Sequence, residues 1–173
     1  VMASEVDITI LHTNDTHSRV EEGKYAGMGF AKIATLVEKA RSKTNNVLLL
    51  DAGDSFHGQT IANLVKGESI ARIYNKVGYD AMVPGNHDFN YGWQRLDELN
   101  KTTDFPIISA NITSKDSENE FLFPPGEIKN IDGVKVAIIG LTTPETTYKT
   151  HPKNVEGLAF RDPIKSAKRM ITQ

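Results

Sequence analysis

Three short polar clusters in the first half of the chain hold residue types that bind divalent metal ions. Each cluster follows an apolar run by a few residues, and the clusters are Asn14–His17, Asp51–Asp54 and Gly85–Asp88. They combine carboxylates, imidazoles and an amide oxygen. Such a mixed oxygen and nitrogen set suits Mn, Zn, Fe or Co better than a Ca²⁺ site built of oxygen alone. The candidate ligands are Asp15, His17, Asp54 and Asn86, with His87 beside them.

Each of these residues taken alone has a simpler interpretation. An Asp at the end of a strand commonly caps or turns the chain, and a single His is commonly just hydrogen-bonded. Gly85 and Asn86, within PGNHDFNYGW, also suit a tight turn because both tolerate the left-handed backbone region. What favours a functional site is that all three clusters follow apolar runs at matching positions.

The elements that would have to position these clusters are indicated by the spacing of apolar residues. Val6, Ile8 and Ile10 alternate with polar residues, which predicts a strand over 6–11. The other predicted elements are strands at 47–50, 81–83 and 106–108, helices across 30–40, 70–77 and 93–99, and a hairpin of 128–131 with 134–141 turned at Asp132–Gly133. Gly78 suits the end of the second helix, and the sequence from Asp162 onward begins like another.

The early strands are separated by roughly 30 residues that include a helix, so they are predicted to be parallel neighbours rather than hairpins. The predicted fold class is therefore α/β, a layered sheet with parallel core strands flanked by helices. Ligands bind beyond the carboxyl ends of the strands in such sheets, which predicts that the candidate ligands converge there. Gly53 and Gly85 suit close approach of the backbone, Gly58 and Gly92 a turn and a helix start, and 113–120 a surface excursion.

The composition is that of an ordinary globular protein. The 173 residues are 39% hydrophobic and 24% charged with a formal net charge of -2, which is enough for one core and gives no general attraction to nucleic acid. Cysteine is absent, which excludes disulfides and thiolate metal sites. No apolar run is long enough to span a bilayer, and VMASEVDITI lacks the basic flank and apolar core of a signal peptide.

The three clusters resemble the first three motifs of the calcineurin-like metallophosphoesterases. Asp15–His17 matches DxH, Gly53–Gly58 matches GDxxxG, and Gly85–Asp88 matches GNH[DE]. The surrounding HTND and NHDFNYG are similar to the secreted branch that contains 5'-nucleotidases and 2',3'-cyclic-nucleotide phosphodiesterases. The resemblance covers nearly the whole chain. It implies a nucleotide substrate and an extracellular, cell-surface or periplasmic location.

The resemblance also implies two divalent metal ions and a role for each motif residue. Asp15 and His17 would hold the first metal, Asp54 would bridge both, and Asn86 would bind the second. His87 would work on the leaving oxygen of the substrate as an acid or a charge stabiliser. At the position of Asn90, 5'-nucleotidases often carry Asp; an amide can orient His87 but cannot stabilise an imidazolium electrostatically. Because Asn is associated with the cyclic-nucleotide side of the branch, both substrate classes stay open.

Part of the family's pattern does not occur in this chain. Members supply further ligands from a later His and a Gly-His-x-His motif, and no such motif follows Asn90. His151 lacks that context, and His12 and His57 are interpreted as supporting or surface residues. Residues 1–173 are therefore expected to be the N-terminal portion of a catalytic domain, truncated before its end. The remainder of that domain and a C-terminal nucleoside-binding domain would be its partners in the intact protein.

Two classes of function remain. The leading hypothesis is a dinuclear-metal phosphohydrolase acting on nucleotides, of which this chain carries the first half of the active site and is inactive when isolated. The alternative is a non-catalytic metal-binding or interaction module that retains a half-site for structural reasons. Later histidines in the intact protein would favour the enzyme. An α/β domain with no metal would require the coincidence of three motifs.

Overall fold

A computed structural model describes residues 5–172, so expectations about the first four residues and Gln173 lie outside the described part. A parallel sheet contains β1 (Thr9–Thr13), β2 (Val47–Asp51) and β3 (Ala81–Met82) in this order. β1 pairs with β2 from Thr9 opposite Val47 to Thr13 opposite Asp51, and β2 continues the sheet to β3. The three strands therefore end at one edge of the sheet.

Helices connect the parallel strands. α1 (Gly29–Arg41) lies between β1 and β2, and α2 (Thr60–Asn63) and α3 (Glu68–Val77) lie between β2 and β3. The later elements are the 3-10 helix Asn86–Phe89, α4 (Trp93–Asn100), β4 (Ile112–Ser114), β5 (Gly126–Ile131), β6 (Val134–Ile139), α5 (Thr146–Lys149), the 3-10 helix Pro152–Val155, β7 (Leu158–Phe160) and α6 (Pro163–Ile171).

The core lies where the apolar helix faces pack on the sheet. β2 has a neighbour on each side and buries Val47, Leu48 and Leu49, as its continuous apolar run predicts. α3 buries Ile70 and Tyr74 among others, and it ends at Gly78 in the left-handed conformation, as predicted. This packed platform fixes the strand ends from which the polar clusters emerge.

The structure confirms the α/β class with a parallel sheet flanked by helices. β1 begins at Thr9 rather than at residue 6, because its partner strand begins at Val47, opposite Thr9. The predicted strand at 106–108 is reduced to one parallel bridge between Met82 and Ile107, since β3 itself has only two residues. It still extends the sheet by one position.

The surface excursion predicted for 113–120 is wrong at its start. Thr113 is buried and belongs to β4, which pairs antiparallel with β7. This pairing joins segments far apart in sequence, so no local pattern signals it. The β5–β6 hairpin turns at Asp132–Gly133 as predicted, with positive φ at both residues. Within 5–172, none of the helices has the length and apolar character that crossing a membrane needs.

Candidate metal centre

The three polar clusters lie at the carboxyl ends of β1, β2 and β3. Asp15, His17 and Asp54 each offer one ligand atom there, and these atoms all lie within 4.8 Å of one another. Asp15 Oδ1 lies 3.8 Å from His17 Nε2. The register explains the approach, because Thr13 and Asp51 are paired at the ends of their strands. The structure thus brings these three residues together, and their role as ligands stays a prediction.

The backbone of all three residues is in the left-handed region, which residues other than glycine rarely adopt. The φ angles are 53° at Asp15, 46° at His17 and 57° at Asp54. Each such residue costs about 1–2 kcal/mol. Two backbone bonds between the loops hold this conformation: Asp15 N donates to the Gly53 carbonyl at 2.8 Å and His17 N to the Asp54 carbonyl at 2.9 Å. Strain concentrated at one cluster is typical of a functional site.

Close backbone approach explains the glycines of the motifs. A Cβ at Gly53 would collide with the backbone of Gly85, and a Cβ at Gly85 would collide with the Asp54 carboxylate. Both agree with the sequence-based interpretation. Gly58, interpreted as a turn residue, also has a packing role, because a Cβ there would collide with the His17 carbonyl. All three positions therefore require glycine to let the loops meet.

Asp88 links the loop after β2 to the segment after β3. Its buried carboxylate accepts four backbone N–H groups: Oδ2 from Asp54 at 2.8 Å and Gly85 at 2.9 Å, and Oδ1 from Ser55 at 2.9 Å and Phe56 at 2.8 Å. Burial raises the pKa of Asp88, and these bonds oppose that rise. Asp88 is part of the GNHD motif, but the sequence alone predicts no role for it. Its fixed place in that motif was the signal available.

Asn86 begins the 3-10 helix that follows β3. The residues on either side of it both meet Asp54: Gly85 approaches the carboxylate, and His87 N donates to Asp54 Oδ1 at 2.8 Å. The backbone therefore lies beside the Asp54 carboxylate at Asn86, next to the three clustered ligand atoms. Binding of a metal by the Asn86 amide stays a prediction.

His87 borders the cluster and is held by Asn90. The His87 and His17 rings meet edge to face with centroids 5.1 Å apart. Asn90 Nδ2 lies 3.0 Å from His87 Nδ1 and 3.1 Å from His57 Nδ1, and the Thr150 hydroxyl donates to Asn90 Oδ1 at 3.2 Å. Asn90 thus contacts His87, as an orienting residue must. His57, interpreted as a supporting or surface residue, belongs to the same group.

The other two histidines lie outside this group. The exposed His151 caps the second 3-10 helix, where its Nδ1 accepts from Lys153 N at 3.3 Å. His12 is exposed on β1. Neither belongs to the set of side chains in residues 5–172 that could share a metal ion.

The buried carboxylate of Asp51 connects the ends of β1 and β2 through hydrogen bonds. Asp51 Oδ2 accepts from the Thr13 hydroxyl at 2.6 Å and the Tyr74 hydroxyl at 2.9 Å, and Oδ1 accepts from Gly53 N at 2.9 Å and Ser55 Oγ at 2.8 Å. Burial raises the pKa of Asp51 to about 7, although the hydrogen bonds favour the charged form. The sequence predicts that Asp51 lies at a strand end, but it does not indicate that Asp51 is the centre of a buried network.

The donor set fits a divalent cation. Two carboxylates and one imidazole at about 2.0–2.2 Å from a common ion would lie up to about 4.4 Å apart, close to the spacing of these ligand atoms. The charge of the two carboxylates would be offset by the ion, and mixed oxygen and nitrogen ligands suit Mn, Zn, Fe or Co. The three side chains therefore provide a partial coordination sphere that water or further ligands could complete.

The sequence of the chain is similar to the sequences of known proteins. Residues 8–167 match the sequence model of the calcineurin-like phosphoesterase family. A snake venom 5'-nucleotidase of Crotalus adamanteus is 42% identical over 95% of this chain and 30% of its own length, and a 5'-nucleotidase of Vibrio cholerae is 38% identical over 96% and 31%.

Two solved structures of similar sequence have the same fold as this chain. The 5'-nucleotidase precursor of Thermus thermophilus superposes with a TM-score of 0.81 at 33% identity, over 95% of this chain and 34% of its own. The NAD nucleotidase of Haemophilus influenzae has a TM-score of 0.81 at 31% identity, over 96% and 32%. The chain spans about a third of the length of these relatives.

Proposed function

Because this chain belongs to the calcineurin-like phosphoesterase family, we propose that it carries the first half of the active site of a dinuclear-metal hydrolase of nucleotide phosphate esters. The observation that carries the proposal is the convergence of Asp15, His17 and Asp54 at the carboxyl ends of parallel strands. Relatives named 5'-nucleotidase over nearly the whole chain support the substrate class.

Each residue has a role that its chemistry suits. Asp15 and His17 would hold a first divalent cation, Asp54 would be shared between two cations, and Asn86 would bind the second. When held by these residues, the cations would lower the pKa of water toward neutrality and offset charge on the phosphate oxygens. The bond from His87 N to Asp54 Oδ1 restrains this carboxylate, which would limit its reorientation when a metal binds.

His87 would act on the oxygen that leaves phosphorus. Its ring lies against His17 and is held at Nδ1 by the Asn90 amide, which directs Nε2 away from Asn90. A proton held at Nε2 would stabilise the departing oxygen as charge develops on it. Asn90 is an amide rather than a carboxylate, so it orients the ring without adding a negative charge.

The substrate is either a nucleoside 5'-monophosphate or a 2',3'-cyclic nucleotide. The names of the relatives favour the first, and Asn90 favours the second. The proposal includes an extracellular, cell-surface or periplasmic location and partner segments that complete the catalytic domain and bind the nucleoside. The alternative is a module that binds metal at the same residues without turnover.

The test uses the intact protein that contains this chain, stripped of metal and reloaded with Mn. Phosphate release from nucleoside 5'-monophosphates and opening of 2',3'-cyclic nucleotides would be measured for the wild type, Asp54→Asn and Asn90→Asp. Asp54→Asn should lower kcat/KM at least about 100-fold, because a shared carboxylate offsets two cations. Asn90→Asp should change it by less than about tenfold, because this residue acts only through His87.

Asp116→Asn is the matched control, because it makes the same chemical change at an exposed loop carboxylate. It should leave hydrolysis unchanged. Full activity of Asp54→Asn in excess Mn would show that the bridging role is wrong. Metal binding by the wild type without hydrolysis of either substrate would favour the non-catalytic alternative.

A further inference from the structure

The hydrogen bonds of Asn90 involve more than the His87 ring. The amide nitrogen carries two hydrogens and has two imidazole acceptors, His87 Nδ1 at 3.0 Å and His57 Nδ1 at 3.1 Å. The amide oxygen accepts from the Thr150 hydroxyl at 3.2 Å. Each polar atom of the side chain therefore has partners, and the two rings depend on the same NH₂ group.

With the amide in this orientation, both imidazoles have a defined tautomer. A ring nitrogen that accepts a hydrogen bond holds no proton, so both rings must carry theirs on Nε2. A reversed amide would direct Oδ1 at both rings and would require both protons on Nδ1. Because the rings share one amide, the reversal requires two protons to relocate instead of one. His57 thus couples its own tautomer to that of His87.

The position of His57 is itself fixed. Its ring lies 5.3 Å from the Tyr91 ring, and the Tyr91 hydroxyl donates to Asn63 Oδ1 at 2.6 Å. Asn63 in turn holds the backbone of Gly58, the residue after His57, through two bonds of 3.2 Å. Burial and then the neighbouring His87 and His17 lower the pKa of His57, which favours the neutral ring.

We propose that His57 is a positioning residue for His87: by accepting the second amide hydrogen of Asn90, it keeps the amide in the orientation that leaves the proton of His87 on Nε2. The use of that proton in catalysis rests on the proposed function. The tautomer itself does not, so the two can fail separately.

The first measurement is the tautomer of each ring. Long-range ¹H–¹⁵N spectra would be recorded on the intact protein labelled with ¹⁵N-histidine, metal-free and loaded with Zn. The expected result is a proton on Nε2 and a bare Nδ1 for both His57 and His87 at neutral pH. A proton on Nδ1 of either ring would overturn the proposal, even if the protein hydrolyses nucleotides.

The second measurement separates the acceptor from the ring. His57→Asn replaces Nδ1 with an amide oxygen at nearly the same distance from the backbone and loses the ring; His57→Phe keeps the ring and loses the acceptor. His57→Phe should lower kcat about tenfold with little change in KM and should give His87 a mixture of tautomers. His57→Asn should stay close to wild type in both readouts.

Two results of these measurements would contradict the proposal. Equal losses in the two variants would show that packing of the ring is what counts, and an unaffected His57→Phe would show that Asn90 needs no second acceptor; either result overturns the proposal. His12→Phe, a change at an exposed histidine, is the control and should leave the His87 tautomer as in the wild type. If the wild type is inactive on nucleotides, the tautomers still test the positioning role.

Discussion

At the scale of single residues, the candidate site places strained and buried groups next to each other. Asp15, His17 and Asp54 have a backbone conformation that costs free energy, and Asp51 below them is a buried carboxylate. Neither feature improves folding. Both features are expected if the loops are arranged to orient the candidate ligand side chains, at a cost in stability.

Asp51 should make the stability of the chain depend on pH. Its folded pKa of about 7 lies above the ordinary value of 3.8, so between these pH values the unfolded carboxyl is ionised while the folded one keeps its proton. The unfolded state binds fewer protons there, and the free energy of unfolding falls as pH rises through the window. Above pH 7 the folded carboxyl is ionised as well, so the loss of stability does not increase further.

Asp51→Asn should remove this penalty, because an amide does not ionise and the hydroxyls of Thr13 and Tyr74 can turn to accept from it. Relative to wild type, the variant should gain stability between pH 4.5 and pH 8, on the order of a few kcal/mol. Thermal unfolding of the chain at both pH values checks this. If the difference in stability between variant and wild type is the same at the two pH values, the raised pKa of Asp51 is wrong.

At the scale of elements, the site depends on how one loop is fastened to the next. The β2 and β3 loops are joined by Asp88, and the β1 and β2 loops by backbone bonds at Asp15 and His17. None of these contacts lies within a single helix or strand. The parallel sheet brings the loops to one edge, and Asp88 sets their spacing there.

Asp88→Asn should loosen this fastening. One side of the carboxylate would become an NH₂ group facing two backbone N–H groups, so two buried donors would lose their acceptor. The expected loss is about 3 kcal/mol of stability and at least tenfold in Zn affinity. Unfolding midpoints and calorimetric Zn titration measure the two effects.

Asp162→Asn is the control for this change. Asp162 caps α6 by accepting from Lys165 N at 2.9 Å, and Asn caps helices about as well as Asp. The control should unfold close to wild type. If Asp88→Asn behaves like the control, the four backbone bonds do not hold the loops.

At the scale of the whole molecule, several large apolar side chains on different elements are exposed. Within 5–172, β1 pairs with β2 alone, and Ile10 on this edge strand is 57% exposed. Leu36 on α1 is 50% exposed, and Ile164 and Ile171 on α6 are 66% and 75% exposed. Since the relatives are about three times longer, we expect further segments to cover such surfaces in the intact protein.

Residues 1–173 alone should bind divalent metal weakly, hydrolyse phosphate esters negligibly and self-associate. As proposed ligands, Asp15, His17, Asp54 and Asn86 would supply only part of what two cations need, so water would fill the rest and the carboxylates would keep some repulsion. Titration with Mn or Zn, a phosphate-release assay on both nucleotide classes and light scattering test this. Tight binding of two metals with clear turnover would show that the site is complete as it stands.

The sequence by itself predicted most of the helices and strands that surround the site, and it named the candidate ligands Asp15, His17 and Asp54 that the structure brings together. The helix from Phe30, the end of α3 at Gly78 and the hairpin turn at Asp132–Gly133 were predictable, because apolar period and turn chemistry act over a few neighbouring residues. The three clusters were recognisable for the same reason, since each motif is short.

Only the tertiary structure decided which residues support the site. Asp88 meets Ser55 across 33 positions, Asn90 meets His57 across 33, and β4 finds β7 more than 40 residues away. Such contacts depend on how distant loops pack at the edge of the sheet, and the residues adjacent in sequence do not predict that packing. The sequence therefore identified candidate metal ligands, while the fold identified the residues that hold them in place.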